Sequence, residues 1–479
     1  MLLDKTILEL ATGLRSGEFT SVDLVNECYD NIAKYNDKVN AFITIIPRET
    51  ALKQAQEIDC KLKIACLPAR QENCKLLAGI PFVLKDCFCT EGIKTTSASK
   101  VLENFIPPYS ATIYKKLLDA GAILIGKMNM DAWGHGGSSE NTDFGSVKNP
   151  WDTTRVAGGS GGGPAVAVAT RMCVFAVGED TGGSIRNPAG WTNTTGLKVT
   201  YGRVSRYGAI AYASSFDTVG PVAKTVEDCA IILETIAGVD KFDATSSPNP
   251  VPQYSKLLNK NLSEITIGIP KEFYGDGLDL EIKEKVLQVA ADLKKSGAKI
   301  KEISMPLFDL CLPVYYLIAP SETSSNLARY DGIRYGNNRD NFTDETIRRI
   351  LIGTYALSAG YYDAYYKKAQ QVRTLFIEEY QKALSQCDIL LQPIMPNNPP
   401  KFGQLLSDPL QNLLADIYTV SQNPVGVPSL AIPCGFTKSG LPIGTQIIGK
   451  MFSEELLLSI GHEYQKLTDF HTKKPNLQI

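Results

Sequence analysis

The chain has 479 residues, of which 44% are hydrophobic and 21% are charged, and its formal net charge is -2. This composition is typical of an ordinary globular protein, and it gives no basic domain of the kind that binds nucleic acid directly. No apolar run reaches the roughly 18 residues of a transmembrane helix, and the N-terminus lacks the basic head of a secretory signal. We therefore expect a cytoplasmic protein, or an organelle-matrix protein if the source is eukaryotic, that binds no membrane.

The 11 cysteines are odd in number and scattered. This pattern is typical of free thiols in a reducing compartment. One loose group lies in the first part of the chain, but its spacings are not those of a zinc site and no histidine lies nearby. We therefore expect no metal in this group, which comprises Cys60, Cys66, Cys74, Cys87 and Cys89.

Helices and strands alternate along the first half of the chain. A helix over 22–35 carries an apolar stripe and begins at Thr20 or Ser21, which are good N-cap residues. A buried strand begins near Phe82 and ends in charge at Lys85. The other predicted elements are a strand over 41–46, a helix over 49–62, a helix over 110–120, a strand over 123–126, a helix over 164–170 and a strand over 173–177.

The same alternation continues in the second half, after a segment rich in Pro, Ser and Asp over 239–259 that we interpret as a loop. Strands that alternate with helices predict an α/β fold, with a sheet layered by helices on both faces. The predicted strands cover 265–269, 299–304, 389–392, 429–433 and 444–448, and the predicted helices cover 280–296, 315–329, 359–384 and 454–467.

A block of glycine and serine over 157–190 carries the strongest chemical signal. It contains Ser160 and Ser184, each preceded by a pair of glycines. Glycine allows the backbone to approach a reacting group closely and to direct its N–H groups toward it, and serine supplies a hydroxyl. The combination predicts an acyl-transfer site in which backbone donors meet a nucleophile.

Two other nucleophile arrangements compete with this interpretation. The residues around Ser160 match G-x-S-x-G, but a nucleophile elbow follows a buried strand, and here the preceding segment is typical of a loop. Such a site would also need one of only three histidines, of which His462 and His471 fall in the right order. Cys434 follows a strand but has no base nearby in sequence, so a structural role is favoured.

Lysine is then the remaining candidate base. Lys85 lies among apolar neighbours, and burial lowers the pKa of a lysine because the ammonium loses its hydration. To act near neutral pH, its pKa must fall from about 10.4 to roughly 7–8. The alternative is that Lys85 ends a strand and that its side chain extends the amine into water.

Three segments resemble the amidase signature family: I-P-F-V-L-K-D, G-G-S-G-G-G-P and D-T-G-G-S-I-R-N-P-A. The resemblance implies an amidase-signature fold, which is an α/β fold with a central mixed sheet between helices. It also implies a single domain over 1–479, with a catalytic core at about 75–225 and a C-terminal part at about 260–479. Ser184 would be the nucleophile, Ser160 would bridge it to the base from a cis peptide, and Lys85 would be that base. The implied oxyanion hole consists of the backbone amides of Thr181, Gly182 and Gly183.

Further segments, among them N-M-D-A-W-G, Y-G-R-V-S-R-Y-G and G-L-P-I-G-T-Q-I-I-G, resemble one branch of that family, the glutaminase subunits of tRNA-dependent amidotransferases. This resemblance implies that Arg349 binds the α-carboxylate of glutamine, that Asp416 binds its α-amino group, and that Tyr315 lines the pocket. The charges of Arg349 and Asp416 suit a zwitterion.

The same resemblance implies the partners. Ammonia would pass to a B subunit, which would use ATP and Mg to convert Glu-tRNA(Gln), or Asp-tRNA(Asn), to the amide; a C subunit is also expected. The chain itself would need no cofactor, and tRNA would be contacted mainly through the partner. Two alternatives are a stand-alone amidase that acts on another small amide, which would not need both Arg349 and Asp416, and a non-catalytic scaffold.

The sequence departs from the usual family pattern near these motifs. The loss of a serine at Gly161 predicts sparser hydrogen bonding around Ser160, and the changes together bear on turnover and partner fit more than on the type of reaction. The departures are Gly161 and Pro164 for serines, Glu179 for a serine, Asn187 for a glutamine, and Trp133 and His135 near the pocket.

Overall fold

The computed structural model describes residues 1–65, 75–334, 336–407 and 409–477. Two members of the cysteine group, Cys66 and Cys74, lie outside these residues. No helix of the described ranges combines the length and the apolar character needed to cross a bilayer.

Short, largely buried segments form the strands, because β-branched and other apolar side chains dominate them. The strands are β1 (Phe42–Ile45), β2 (Pro81–Lys85), β3 (Ile123–Met128), β4 (Phe175–Asp180), β5 (Thr195–Lys198), β6 (Thr218–Ala223), β7 (Thr266–Pro270), β8 (Lys299–Ile303), β9 (Ile389–Pro393), β10 (Ser429–Phe436) and β11 (Pro442–Ile448).

Several of the helices begin at a side chain that caps the first turn; Thr20, for example, accepts a hydrogen bond from the amide of Asp23. The helices are α1 (Ile7–Ser16), α2 (Ser21–Val39), α3 (Arg48–Ala65), α4 (Thr112–Asp119), α5 (Gly162–Ala169), α6 (Arg186–Thr192), α7 (Val226–Ile236), α8 (Leu280–Lys295), α9 (Cys311–Asn326), α10 (Asp344–Leu357), α11 (Lys368–Leu384), α12 (Gln404–Ser407), α13 (Pro409–Ala415), α14 (Gln422–Val425) and α15 (Glu454–Leu467).

The described strands form one 11-stranded mixed sheet in the order β1-β3-β2-β4-β6-β5-β10-β11-β9-β7-β8. Strand β2 pairs in parallel with both β3 and β4, and β7 pairs in parallel with β8 and β9, whereas the other pairs are antiparallel. The predicted mixed sheet is confirmed, and the assignment of the whole chain to one domain stays a prediction.

Helices cover both faces of the sheet, because alternate residues of a strand point to opposite sides. In β2, Phe82 and Leu84 belong to a core cluster that includes α7 and α8 residues, whereas Val83 belongs to a separate cluster with α2 and α5 residues. The predicted helical layers are therefore confirmed.

Most predicted elements occur within a few residues of their expected bounds, and α15 has the predicted bounds. The predicted helix over 359–384 is wrong in its first turns, because Asp363–Lys367 form a π-helical turn and α11 begins only at Lys368. The local sequence patterns did not predict two strands, β5 and β6, which contain Gly or Pro and so give a weaker strand signal. They also did not predict the helices α1, α6, α7, α10, α12, α13 and α14.

Candidate active site

The site lies at the carboxyl ends of β2 and β4, which are neighbouring inner strands of the sheet. Because these neighbouring strands are parallel, their carboxyl ends meet there. Lys85 is the last residue of β2, and Asp180 is the last residue of β4. Ser184 follows in the turn between β4 and α6, and Ser160 lies in the loop before α5.

The amine of Lys85 contacts Ser160. Nζ lies 2.7 Å from the Ser160 Oγ, 3.0 Å from the carbonyl oxygen of Glu179 and 2.8 Å from the Glu179 Oε2. Both Lys85 and Ser160 are completely buried. The predicted base is therefore hydrogen-bonded to the predicted bridging serine in the interior of the protein.

The peptide bond between Gly159 and Ser160 is cis, as the resemblance implies. The Ser160 carbonyl oxygen accepts a hydrogen bond from the Asp131 amide at 3.1 Å. A side chain at Gly159 would collide with the carboxylate of Asp131, which explains the glycine at this position. Asp131 in turn accepts hydrogen bonds from the amides of Ser139 and Asn141, so several loops hold Ser160 in place.

Ser184 differs from Lys85 and Ser160 because it is not completely buried: 7% of the residue is exposed to solvent. The two serine loops are in contact, since the Gly161 amide donates to the Ser184 carbonyl at 3.1 Å. A Cβ atom at Gly161 would lie only 2.5 Å from that carbonyl oxygen. The glycine that replaces the usual serine therefore has a steric reason in this chain.

Ser139 supplies a hydroxyl near the position of the lost serine. Its Oγ accepts from the Gly162 amide at 3.2 Å and donates to the Gly158 carbonyl at 2.7 Å. These bonds brace both sides of the Ser160 loop, and sparser hydrogen bonding than in the usual family pattern stays a prediction. Pro164 lies in the first turn of α5, where the missing N–H costs no helical hydrogen bond.

The predicted oxyanion donors divide into two kinds. The Gly183 amide donates to the Asp180 Oδ1 at 2.9 Å and so is already engaged. Among the described residues, the amides of Thr181, Gly182 and Ser184 donate to no protein acceptor. The free amides at this turn thus include that of Ser184 itself, which the sequence analysis did not name.

A buried ion pair fixes the turn that carries Ser184. Asp180 pairs with Arg186 at 2.9 Å and also accepts the amide of Ile185 at 3.0 Å. Burial alone would raise the pKa of Asp180, but the adjacent Arg186 holds it well below its ordinary value. Through Nη1, Arg186 also donates to Gln422 and Gln446, which come from the distant C-terminal part of the chain.

The pKa of Lys85 departs from the sequence-based expectation. Burial lowers it, as expected, but the carboxylate of Glu179 outweighs that effect, and the net pKa of Lys85 is raised above its ordinary value of 10.5. The expected fall to roughly 7–8 is therefore wrong for this chain. The reason is a charged neighbour on β4, where the family pattern has a serine.

The turn over 181–185 carries Ser184, and we call it the nucleophile turn. The predicted substrate residues lie together beside it. Tyr315 packs on it, since a Cβ atom at Gly182 would lie 2.5 Å from the Tyr315 Oη. Arg349 lies over the ring of Tyr316 at 5.5 Å, and the Tyr316 hydroxyl donates to the Asp416 Oδ2 at 2.6 Å. Tyr316, which the sequence analysis missed, thus joins the predicted cation to the predicted anion.

Arg349 is buried and Asp416 is half-buried, and both charges are influenced by their neighbours. Burial raises the pKa of Asp416 to about 6, although the Tyr316 hydroxyl and Arg349 oppose this effect. Arg349 donates a short hydrogen bond to the Tyr212 hydroxyl and another to Glu345 at 2.8 Å. Tyr212 and Glu345 could not be predicted as site residues, because no motif in their local sequence marks them.

The other departures also lie beside this pocket. The ring of His135 packs edge-on against Tyr212, with 4.6 Å between centroids, and burial lowers its pKa well below the ordinary value, so it is neutral. Trp133 packs against Tyr330 and Phe342 in a separate apolar cluster. The Asn187 side chain donates to the Gly137 carbonyl at 2.9 Å. His135 therefore contacts a neighbour of Arg349, whereas Trp133 packs in the adjacent cluster.

The structure does not favour the other nucleophiles. Ser160 follows a loop and precedes α5, so the G-x-S-x-G match is not a strand-to-helix elbow. Cys434 is buried in β10, and burial raises the pKa of its thiol so far that no thiolate forms at neutral pH. Within the described ranges, no group of three or more His, Cys, Asp or Glu side chains could hold a metal ion.

Known proteins resemble this chain over nearly its full length. Residues 23–458 match the family described as Amidase. The chain is 48% identical to the A subunit of glutamyl-tRNA(Gln) amidotransferase from Desulfatibacillum aliphaticivorans, over 98% of this chain and 99% of that protein. It is 47% identical to the protein of the same name from Microcystis aeruginosa, again over 98% and 99% of the two chains.

Solved structures show the same similarity. The crystal structure of the A subunit of glutamyl-tRNA(Gln) amidotransferase from Thermotoga maritima superimposes with a TM-score of 0.84 at 35% identity, over 99% of this chain and 98% of that one. The peptide amidase from Stenotrophomonas maltophilia gives a TM-score of 0.81 at 27% identity, over 97% of each chain.

Proposed function

Since this chain belongs to the amidase family, we propose that it is the glutamine-hydrolysing A subunit of a glutamyl-tRNA(Gln) amidotransferase. The observation that carries the proposal is the 2.7 Å contact between the Lys85 Nζ and the Ser160 Oγ, in a loop that touches the Ser184 backbone. Amide hydrolysis needs a nucleophile, a route for its proton and donors for the oxyanion. Candidates for all three lie at the carboxyl ends of β2 and β4.

Glutamine binding is the first step. The guanidinium of Arg349 holds the α-carboxylate, and the carboxylate of Asp416 holds the α-ammonium. Arg349 is buried and Asp416 is half-buried, so these charge-assisted bonds are partly shielded from water and fix the orientation of the substrate. Tyr315, packed on Gly182, then limits where the side-chain amide can lie.

Acyl transfer follows. The Ser184 oxygen attacks the amide carbon, its proton passes to Ser160, and the proton of Ser160 passes to the neutral amine of Lys85. The carbonyl electron pair moves onto oxygen, where the free amides of the nucleophile turn stabilise it; one such donor contributes about 2.7–4 kcal/mol. The C–N bond then breaks, and the nitrogen takes back a proton by the same route and leaves as ammonia.

Water completes the cycle. It attacks the acyl carbon and gives a proton through Ser160 to Lys85. The bond to Ser184 breaks, the serine oxygen recovers a proton, and glutamate leaves. The chain returns to its starting state, and no cofactor of its own takes part.

The proposed partners follow from the same assignment. The named relatives are subunits of a multi-subunit enzyme, and we place this chain in such a complex, in the cytoplasm or an organelle matrix. A B subunit would use ATP and Mg to activate Glu-tRNA(Gln), or Asp-tRNA(Asn), and would receive the ammonia. A C subunit would complete the complex, and the partner would make most of the tRNA contacts.

The test is glutamine hydrolysis, measured as glutamate release, with the chain alone and with its co-purified partners. We expect Ser184→Ala to lower kcat by roughly a thousandfold or more. The matched control is Ser263→Ala, at an exposed serine in a 3-10 turn, which keeps full activity. Full activity in Ser184→Ala would overturn the proposal.

The alternative of a stand-alone amidase acting on another small amide predicts a different result. Such an enzyme would hydrolyse amides that lack an α-amino acid group and would not depend on both Arg349 and Asp416. Parallel assays with glutamine and with a simple aliphatic amide separate the two. We expect glutamine to be preferred, and a preference for the simple amide would favour the alternative.

A further inference from the structure

The proposed mechanism does not use the charged partner of Lys85, which is Glu179. The side chains of the two residues are 0% and 4% exposed. Of the three contacts of the Lys85 Nζ, two come from Glu179, through its Oε2 and through its carbonyl oxygen, and the third is the Ser160 Oγ. Glu179 is therefore the principal neighbour of the proposed base.

These three contacts fix the orientation of the amine. A neutral amine has two N–H bonds and one lone pair, whereas an ammonium has three N–H bonds. Because the two Glu179 oxygens can only accept, they take the two N–H bonds of the neutral amine. The lone pair then points at Ser160, which is the direction that proton transfer requires.

The other carboxylate oxygen of Glu179 is bonded to the Thr181 hydroxyl, which also contacts a second carboxyl group. Thr181 Oγ1 makes a short hydrogen bond with the Glu179 Oε1 and lies 2.8 Å from the Asp217 Oδ1. One hydroxyl has a single proton and cannot donate to two carboxylates, so one of the two carboxyls carries a proton. Burial and the charge of Glu179 raise the pKa of Asp217 to about 8, which makes Asp217 the protonated one at neutral pH.

The other ionisable groups around the pair are already engaged or neutral. Asp180 is committed to Arg186 at 2.9 Å. Burial raises the pKa of the Cys87 thiol, so it carries no charge at neutral pH. Asp131 accepts two backbone amides, and burial raises its pKa to about 7. Glu179 is the one anion of the described residues in direct contact with the Lys85 amine.

We propose that Glu179 is a positioning residue for Lys85: its two oxygens aim the amine at Ser160, and its negative charge sets the pH at which the amine becomes a base. The inference rests on the proposed role of Lys85. The raised pKa of Lys85 agrees with it, because a nearby anion favours the ammonium. Activity should then increase as pH rises into the alkaline range.

The test uses an alkyl fluorophosphonate, which reports on the nucleophile without glutamine. The Ser184 oxygen bonds to phosphorus, fluoride leaves, and the serine proton passes through Ser160 to Lys85. The inactivation rate is measured against pH for the native chain and three variants. Glu179→Gln keeps the shape but removes the charge, Glu179→Asp keeps the charge, and Glu302→Gln makes the same change on the exposed outer strand β8.

We expect the midpoint of the acid limb to fall by roughly one to three pH units in Glu179→Gln, because removal of the anion favours the neutral amine. The plateau rate should also fall, since one of the two orienting oxygens is weakened. Glu179→Asp should keep a midpoint near that of the native chain, and Glu302→Gln should match it. An unchanged midpoint in folded Glu179→Gln overturns the inference.

A measurement on the native chain covers the case in which Glu179→Gln does not fold. The lysine side-chain ¹⁵N signal lost in Lys85→Gln identifies Lys85, and its titration is followed directly. We expect Lys85 to remain an ammonium at pH 9, and a neutral amine at pH 8 overturns the inference. If glutamine is not hydrolysed but phosphonylation shows the expected shift, the proposed function fails while this inference stands.

Discussion

The guanidinium of Arg349 is paired with the carboxylate of Glu345, 2.8 Å away and one turn earlier in α10. The Arg349 Nη1 also donates to the Tyr212 hydroxyl. In the proposed mode of glutamine binding, the α-carboxylate would meet a cation that already has one anionic partner. Glu345 would hold the guanidinium in position and would also weaken the attraction between Arg349 and the substrate.

This relationship predicts that Glu345→Gln lowers the KM for glutamine, because the substrate no longer shares the cation. The repulsion between the Glu345 carboxylate and the substrate carboxylate is about 1 kcal/mol, and its removal corresponds to about a fivefold decrease in KM. Glu345→Asp, which keeps the charge, is the control. Steady-state kinetics measure the effect, and an increased KM in Glu345→Gln would show that the positioning role of Glu345 outweighs its charge.

A second prediction concerns Arg349 itself. Arg349→Lys keeps the charge but loses the planar fork that a carboxylate matches. We expect KM for glutamine to rise about 10- to 100-fold, since a hydrogen bond between charged groups contributes about 1.5–3 kcal/mol. The kcat at saturating glutamine should change little. Equal losses in kcat and kcat/KM would place Arg349 in the chemical step instead.

The pKa of Asp416, raised to about 6 by its burial, predicts a pH dependence of binding. Only the ionised carboxylate attracts the α-ammonium of glutamine. Because this pKa is raised, the carboxylate is lost as pH falls through about 6, and KM should increase below that value. Asp416→Asn should show a higher KM than the native chain above pH 6 and no further increase on acidification. A KM that is flat from pH 8 to 5 in the native chain contradicts this prediction.

The buried pair of Asp180 and Arg186 predicts a stability effect. Asp180→Asn leaves the buried guanidinium without its charge partner, which costs about 3–5 kcal/mol, and it weakens the bond to the Gly183 amide. We expect a clear drop in Tm together with loss of glutaminase activity. The native pair should weaken only in acid: Asp180 has a pKa held below its ordinary 3.8, so its contribution is present above that pH and is lost as pH falls beneath it.

Thermal unfolding followed by circular dichroism at pH 7 and below pH 4 checks this prediction. Asp388→Asn, at a half-buried carboxylate that accepts the Thr266 amide in another part of the sheet, serves as the control for loss of a carboxylate. A native Tm in Asp180→Asn would contradict the expected cost.

The close contact of Gly161 with the Ser184 carbonyl predicts that the usual family residue is harmful here. In Gly161→Ser, the new Cβ would lie 2.5 Å from that oxygen, so the loop must shift. Overpacking of this kind costs about 1–3 kcal/mol, and we expect lower activity as well as lower stability. Pro164→Ser, which restores the other serine, is the comparison. Higher activity in Gly161→Ser would contradict the steric explanation.

Local patterns were sufficient to predict much of the fold and the chemical groups of the site. The apolar run before Lys85 predicts β2, and the glycine pairs single out Ser160 and Ser184. The partner of Lys85 could not be predicted in the same way. The contact with Glu179 depends on the register between β2 and β4, which brings the two side chains together. The effect of Glu179 on the lysine pKa could therefore be seen only in the structure.

The substrate pocket shows the same limit. Arg349 was expected from the family resemblance, although α10, the helix that carries it, was missed. Tyr212, Tyr316 and Glu345 have no distinctive sequence context, and they become relevant only because tertiary packing brings them to Arg349.

The bonds from Arg186 to Gln422 and Gln446 have a consequence for protein synthesis. A ribosome makes the nucleophile turn early, but the two glutamines that complete its support emerge more than two hundred residues later. A nascent polypeptide therefore carries Ser184 on an unfinished scaffold. We therefore expect no glutamine hydrolysis until most of this chain has been synthesised.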